Sequence, residues 1–265
     1  MKRDRGEKAR TRRVPEALTQ RTLASDGVPI AYTLWRQPSS ELVILAPGFW
    51  RRRLAKENIY LATHFARLGY DVAALDFRGH GDSGGRYAFG AKEELDVEAV
   101  VNELVGGGRP YSRFAIIGLS MGGSIAAQAL SRFRDLPCRA LVMISSPADV
   151  KTLKPRPLSR DAIRQLRFRH ALRVPRIAIR DLRGPKPRAL EAVAELAMPK
   201  LIVTSENDWL VDPSHGKTLA ERAAPPVEHV HFDLPGSLHA DSLVRHVPLR
   251  LLRVLDRWLA QNAPP

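Results

Sequence analysis

The sequence predicts an α/β protein: a mostly parallel sheet with helices on both faces, interrupted by one inserted basic cap. Three observations lead there. Short, wholly apolar runs recur along the chain, as strands buried on both faces of a parallel sheet require. Stretches with apolar residues at helical spacing separate those runs. The alternation breaks between Pro147 and Met198, where prolines and cations crowd, and then resumes.

Taken in order, the first feature is a β-hairpin over Arg21 to Arg36, because Asp26-Gly27 favours a tight turn. Leu42 to Leu45 is the first buried strand and runs into Pro47-Gly48. Ile59, Leu61, Ala62, Phe65, Ala66 and Leu68 mark a helix that stops at Gly69. Val72 to Leu75 is a strand, Glu93 to Val105 a helix, Phe114 to Ile117 a strand, and Met121 to Phe133 a helix. Ala140 to Ile144 is the last strand before the break. Beyond it follow a strand (Leu201 to Thr204), a helix (Pro213 to Ala224), a strand (Val227 to Leu234) and a closing helix (Arg245 to Ala260). The expected domains are a flexible basic arm over 1–20, a body over 21–146 and 199–265, and a cap over 147–198.

Apolar residues make up 44% and charged residues 26%, a balance that excludes a disordered chain. The single cysteine, Cys138, excludes an intramolecular disulfide and reads as a small packed residue. The N-terminus lacks the apolar stretch of a signal peptide, and no window reaches the ~18 apolar residues of a membrane span. A cytoplasmic protein is expected. The net charge of +14 is concentrated: residues 1–13 hold seven Lys/Arg against two acids, and residues 151–190 hold thirteen against two. The rest is close to neutral, which argues against a nucleic-acid-binding surface.

The chemistry centres on Gly118-Leu119-Ser120-Met121-Gly122. Five residues recur by chance, but these join an apolar strand to a helix of small residues, the setting of a nucleophile elbow. Such a turn strains the serine backbone, and the flanking glycines let strand and helix approach without side-chain collision. A serine hydroxyl needs a base to take its proton. Of eight histidines, His239 is best placed, in the loop after the last strand, on the same sheet edge as the elbow. His64, His170, His215 and His246 read as surface or packing positions, and His80 as part of a glycine-rich turn. His229 and His231 point the same way on a strand but lack a third ligand, so no metal is expected, nor any cofactor.

The base needs an acid to orient it. Asp208 follows its strand by a few residues on the same edge. Asp212 competes, but Asp directly before Pro213 is a helix N-cap signature, and Asp241 would have to fold back on His239. The chain order Ser120, Asp208, His239 suits a Ser-Asp-His triad. The oxyanion of an acyl-transfer intermediate needs two donors. The Met121 amide is one, and the Phe49 amide, after Pro47-Gly48, is the expected second.

These residues, with Asp76-Phe77-Arg78-Gly79-His80-Gly81-Asp82-Ser83-Gly84 and Gly118 to Gly123, resemble the α/β-hydrolase superfamily, in its lysophospholipase and monoacylglycerol-lipase-like branch. The resemblance spans about residues 24–260 apart from the cap. Pro47-Gly48 stands where that family usually has His-Gly. It implies an α/β-hydrolase fold and a serine hydrolase that cleaves a carboxylic ester through an acyl-enzyme on Ser120. The Asp76 to Gly84 segment is expected to be a structural turn.

Substrate contacts are expected from Trp50, Arg51 and Trp209. The run Arg51-Arg52-Arg53 and the basic cap fit an anionic acyl substrate, with thioesterase or acyltransferase chemistry. They equally fit peripheral docking on an anionic membrane, with Ile163, Leu166 and His170 on one face of a basic helix, or a solvated surface. A non-catalytic binding protein of the same fold is the competing class, disfavoured by the intact Ser, Asp and His.

Overall fold

The structure, a computed structural model, describes residues 16–37, 40–106, 108, 110–153, 176, 178, 186–236 and 238–265. Eight strands form one sheet: β1 (Ala17–Leu23), β2 (Pro29–Trp35), β3 (Leu42–Ala46), β4 (Asp71–Leu75), β5 (Phe114–Leu119), β6 (Cys138–Ile144), β7 (Lys200–Ser205) and β8 (Val227–Phe232). Their spatial order is β1-β2-β4-β3-β5-β6-β7-β8. β1 and β2 form the hairpin expected at Asp26-Gly27, and β2 joins β4 antiparallel. Every pairing from β4 onward is parallel.

Helices cover both faces. They are α1 (Lys56–Leu68), α2 (Glu94–Leu104), α3 (Met121–Arg132), α4 (Ala189–Glu195), α5 (Pro213–Arg222), α6 (Asp241–His246) and α7 (Pro248–Asn262). The strand period of two explains how one short run serves two cores. Leu42, Ile44 and Ala46 of β3 pack into the core beneath α2, α3, α4 and α5. Val43 and Leu45 pack into the opposite core, with Leu61 and Phe65 of α1 and Leu251 and Leu255 of α7. A strand buried on both sides cannot alternate apolar with polar residues, so its run is apolar throughout.

Some boundaries differ from those the sequence suggests. β1 begins at Ala17, which pairs with Trp35, so the residues expected to end a flexible arm belong to the sheet. Residues 1–15 lie outside the described set. The closing helix over Arg245 to Ala260 is two helices, because Val247 leaves the helical conformation (φ −131°, ψ 45°) and Pro248, at the first turn of α7, has no N–H to continue the first. Most of the expected cap, including Ile163, Leu166 and His170, also lies outside the described residues. Within the cap interval, α4 returns to the body: Ala189 and Val193 are fully buried in the core shared with α3 and α5.

The Asp76 to Gly84 turn is structural, as expected. Asp76, fully buried, accepts from the Arg53 N–H and guanidinium and from the Asp82 N–H. Arg78 spans Asp26 and Asp96. Ser83 donates to the Asp76 carbonyl and accepts from the Ala31 N–H. Removing one partner of such a buried pair costs about 3–5 kcal/mol, since the other charge is left uncompensated.

The sheet order places the site. β3 leads outward to β4, and the chain then returns to the other side of β3 for β5. Loops leaving the carboxyl ends of β3 and β5 diverge there and open a crevice. Phe49 follows one of those strands and Ser120 the other.

Candidate active site

Ser120 sits between β5 and α3 with φ 53° and ψ −124°, a conformation that L-residues with a Cβ avoid. Holding it costs about 1–3 kcal/mol, and close backbone packing enforces it. A Cβ on Gly118 would lie 2.2 Å from the Gly123 Cα, and one on Gly122 would lie 2.1 Å from the Ala46 carbonyl oxygen. One on Gly123 would meet the Ser146 Oγ at 2.1 Å. The glycines of the motif are therefore dictated by contacts from three neighbouring segments, not by the turn alone. The Ser120 N–H donates to the Ile144 carbonyl at the end of β6.

The Ser120 Oγ lies 2.9 Å from His239 Nε2. His239 Nδ1 lies 3.0 and 2.9 Å from the two carboxylate oxygens of Asp208. An ionised carboxylate only accepts, so Nδ1 carries the proton and Nε2 is left to accept from the serine hydroxyl. Ser120 and His239 are buried, and the Asp208 side chain is only 1% exposed. Asp208 is held by the Leu210 and Val211 amides, which both donate to its Oδ1 at 2.9 Å.

The competing carboxylates fall elsewhere. Asp212 caps α5 and accepts from the Ser214 N–H. Asp241 opens α6 and pairs with Arg51 and Arg245. His229 Nε2 and His231 Nδ1 both face the Thr204 hydroxyl, at 2.9 and 3.0 Å. Among the described residues no group of three or more potential metal ligands forms. His215, read as surface or packing, is buried and accepts the Ala148 N–H. Burial pushes the Cys138 thiol up to about 12, which keeps it unreactive.

Facing Ser120, the Gly48 Cα lies so close that an added Cβ would be 3.3 Å from the Ser120 Cβ. Gly48 to Arg51 is a β-turn closed by the Arg51 N–H on the Gly48 carbonyl at 3.1 Å. Among the described residues the Phe49 N–H has no acceptor. Phe49 packs face to face with Tyr87 at 5.0 Å, and Trp50 lies against Phe49 at the same centroid distance.

The expected substrate contacts divide. Trp209 is 44% exposed with its ring 5.7 Å from that of His239, so it borders the site. Trp50, in the Gly48 to Arg51 turn, is 36% exposed. Arg51 is engaged: its guanidinium pairs with Asp241 and lies 3.7 Å from Glu57. Arg53 is buried against Asp76 and Asp82. Of the three consecutive arginines, Arg52 is exposed, Arg51 is half-buried and Arg53 is buried.

One supporting residue was missed from sequence. Ser145, at the end of β6, has φ 48°, and its Oγ accepts the N–H of Ala240, itself at φ 25° and next to His239. The Ser145 N–H donates to the Val203 carbonyl on β7, the strand that leads to Asp208. Ile144 and Ser145 therefore bond to Ser120 itself, to the strand that leads to Asp208 and to the residue after His239. A serine after a strand gives no signal of this, because the partners are 58 to 95 residues away.

Comparison with known proteins agrees with the architecture. The chain is 25% identical over 246 residues to a monoacylglycerol lipase of Mycolicibacterium smegmatis, covering 80% of this chain and 86% of that one. An esterase of Pyrococcus furiosus superposes with a TM-score of 0.76 at 22% identity, covering 98% of both chains. An esterase of Rhodococcus sp. superposes with a TM-score of 0.67 at 19% identity, covering 92% of this chain and 99% of that one. Residues 37–180, more than half of the chain, match the model of the Hydrolase_4 family, serine aminopeptidase S33, and the chain belongs to this α/β-hydrolase family.

Proposed function

We propose that this protein hydrolyses a carboxylic ester of a small molecule through an acyl-enzyme on Ser120. The observation that carries the reading is the continuous relay from the Ser120 hydroxyl through His239 to Asp208, with bonds of 2.9 to 3.0 Å. The Ser120 oxygen attacks the ester carbonyl while its proton passes to His239 Nε2, and Asp208 stabilises the imidazolium that results. The carbonyl oxygen becomes an oxyanion facing the amides of Met121 and Phe49. As the tetrahedral intermediate collapses, the carbonyl–oxygen bond to the alcohol breaks, and Nε2 returns the proton to the departing oxygen. Water repeats the sequence on the acyl-enzyme and releases the acid.

An ester is favoured over an amide by the curated lipase relative and by the esterases that share the fold. The anionic-substrate reading loses support from the arginines after the oxyanion loop, because Arg51 and Arg53 already have carboxylate partners. Trp209 beside His239 and Trp50 beside Phe49 instead offer exposed apolar surface, which suits an uncharged acyl or alcohol group.

The test is labelling with a fluorophosphonate probe, alongside turnover of p-nitrophenyl esters of increasing chain length and of amino-acid p-nitroanilides. The expected outcome is labelling and ester turnover in the wild type, with both lost in Ser120→Ala. A folded wild type that takes no probe and cleaves no ester overturns the reading, and preferential anilide cleavage replaces it with a peptidase.

A further inference from the structure

The Asp76 to Gly84 turn was assigned a structural role, yet one of its side chains reaches the oxyanion loop. His80 Nε2 accepts the Trp50 backbone N–H at 3.1 Å. Its Nδ1 lies 3.2 Å from the Arg78 carbonyl, which can only accept, so Nδ1 carries the ring proton and the tautomer is fixed. The ring is 3% exposed and packs edge-on against Tyr87 at 4.8 Å and Phe49 at 5.9 Å. Burial holds it neutral, lowering its pKa to about 4, so the acceptor lone pair persists through the neutral range.

The turn that receives this bond is unusual. Trp50 has φ 66°, while Phe49 is not in the positive-φ region, and the Arg51 N–H closes on the Gly48 carbonyl. That combination is a type II turn, whose third position wants φ near about +80° and is ordinarily glycine. A bulky residue there favours the alternative, type I turn, in which the peptide between Phe49 and Trp50 is rotated by about half a turn. The rotation would aim the Phe49 carbonyl at the His80 lone pair and reverse a peptide dipole next to the Phe49 N–H. With the type II turn held, Arg51 donates to Gly48, Trp50 donates to His80, and the Phe49 amide is left for a ligand.

We propose that His80 is a positioning residue for the oxyanion hole: by accepting the Trp50 N–H it holds the Phe49–Trp50 peptide in the orientation that leaves the Phe49 amide to bind the reacting carbonyl oxygen. The proposal rests on the ester-hydrolase reading above for its effect on turnover, and on geometry alone for its effect on the loop.

The experiment compares His80→Phe, which keeps the aromatic packing but has no acceptor, with His80→Gln, whose amide oxygen can reach the Nε2 position. Amide hydrogen exchange at Trp50 is read together with kcat and KM on a p-nitrophenyl ester. In His80→Phe the Trp50 amide is expected to exchange at least about tenfold faster than in the wild type. There, kcat is expected to fall by about tenfold or more, with KM changing by less than about threefold. His80→Gln should keep slow exchange at Trp50 and most of kcat. The loss caused by His80→Phe should shrink in a Trp50→Gly background, where glycine accepts the left-handed turn unaided.

Equal Trp50 exchange in the wild type and a folded His80→Phe overturns the proposal. So does an unchanged kcat, or a His80→Gln enzyme as damaged as His80→Phe. Should the wild type neither take a phosphonate probe nor cleave an ester, the function reading fails, and exchange at Trp50 still decides the role of His80.

Discussion

The elbow around Ser120 and the loop around His239 both deliver a side chain to the same sheet edge, yet they are held by different forces. Steric contact secures the elbow: a Cβ on Gly118 or Gly122 would overlap neighbouring backbone, and one on Gly123 would overlap the Ser146 side chain. The histidine loop depends on directional polar bonds from distant segments: Asp208 to its Nδ1, Ser145 to the Ala240 amide, and the Arg51–Asp241 pair. Contact of this kind is stiff and local in sequence, whereas the polar ties are individually modest and come from anywhere in the chain. Breaking the elbow should therefore act first through stability, with activity following, whereas breaking the polar ties of the histidine loop should lower the rate beyond any loss of stability.

The largest rate effect is expected from Asp208→Asn, which keeps the shape but no longer selects the Nδ1–H tautomer; kcat should fall by about 10⁴-fold with little change in melting temperature. Asp212→Asn serves as its control. It should retain turnover, because the asparagine side chain still caps α5. Steady-state kinetics on both variants checks this, and loss of turnover in Asp212→Asn alone would transfer the role of acid to Asp212.

Gly122→Ala attacks the elbow instead. Its new Cβ would overlap the Ala46 and Pro47 carbonyl oxygens, which are backbone and cannot rotate away. A loss of about 1–3 kcal/mol or more is expected, read as a lower urea midpoint, with activity falling because the displaced segment continues into Gly48 and Phe49. Wild-type stability in this variant would mean that the elbow is looser than its packing indicates.

Ser145→Ala returns to the histidine loop. It leaves the Ala240 N–H without its acceptor, at a cost of about 1–3 kcal/mol. If the bond positions His239, kcat falls while KM is preserved; a lower melting temperature with unchanged kcat would reduce Ser145 to a packing residue. Arg51→Gln should be the mildest change, since the pair it removes is partly exposed and worth at most about 1 kcal/mol. Raising the salt concentration should narrow the gap between that variant and the wild type, because salt screens the pair.

These two kinds of restraint also explain what could be read from the sequence. The parallel sheet was legible because Leu42 to Leu45, Val72 to Leu75 and Phe114 to Ile117 are apolar without interruption, as burial on both faces demands. Ser120, Asp208 and His239 could be singled out because each follows a strand, and parallel strands end on one edge. Asp212 declared itself a cap by its position before Pro213. The division of the last helix at Val247 was missed, although Pro248 marks it.

Only the tertiary structure decided the rest. That Arg51 and Arg53 are already paired, that Ser145 supports the histidine loop, and that His80 reaches the Trp50 amide all depend on contacts across 23 to 190 residues. Periodicity and turn chemistry record what a residue's immediate neighbours require of it. A hydrogen bond across the sheet edge leaves no such record, because its partners meet only after the strands have set the register that brings them together.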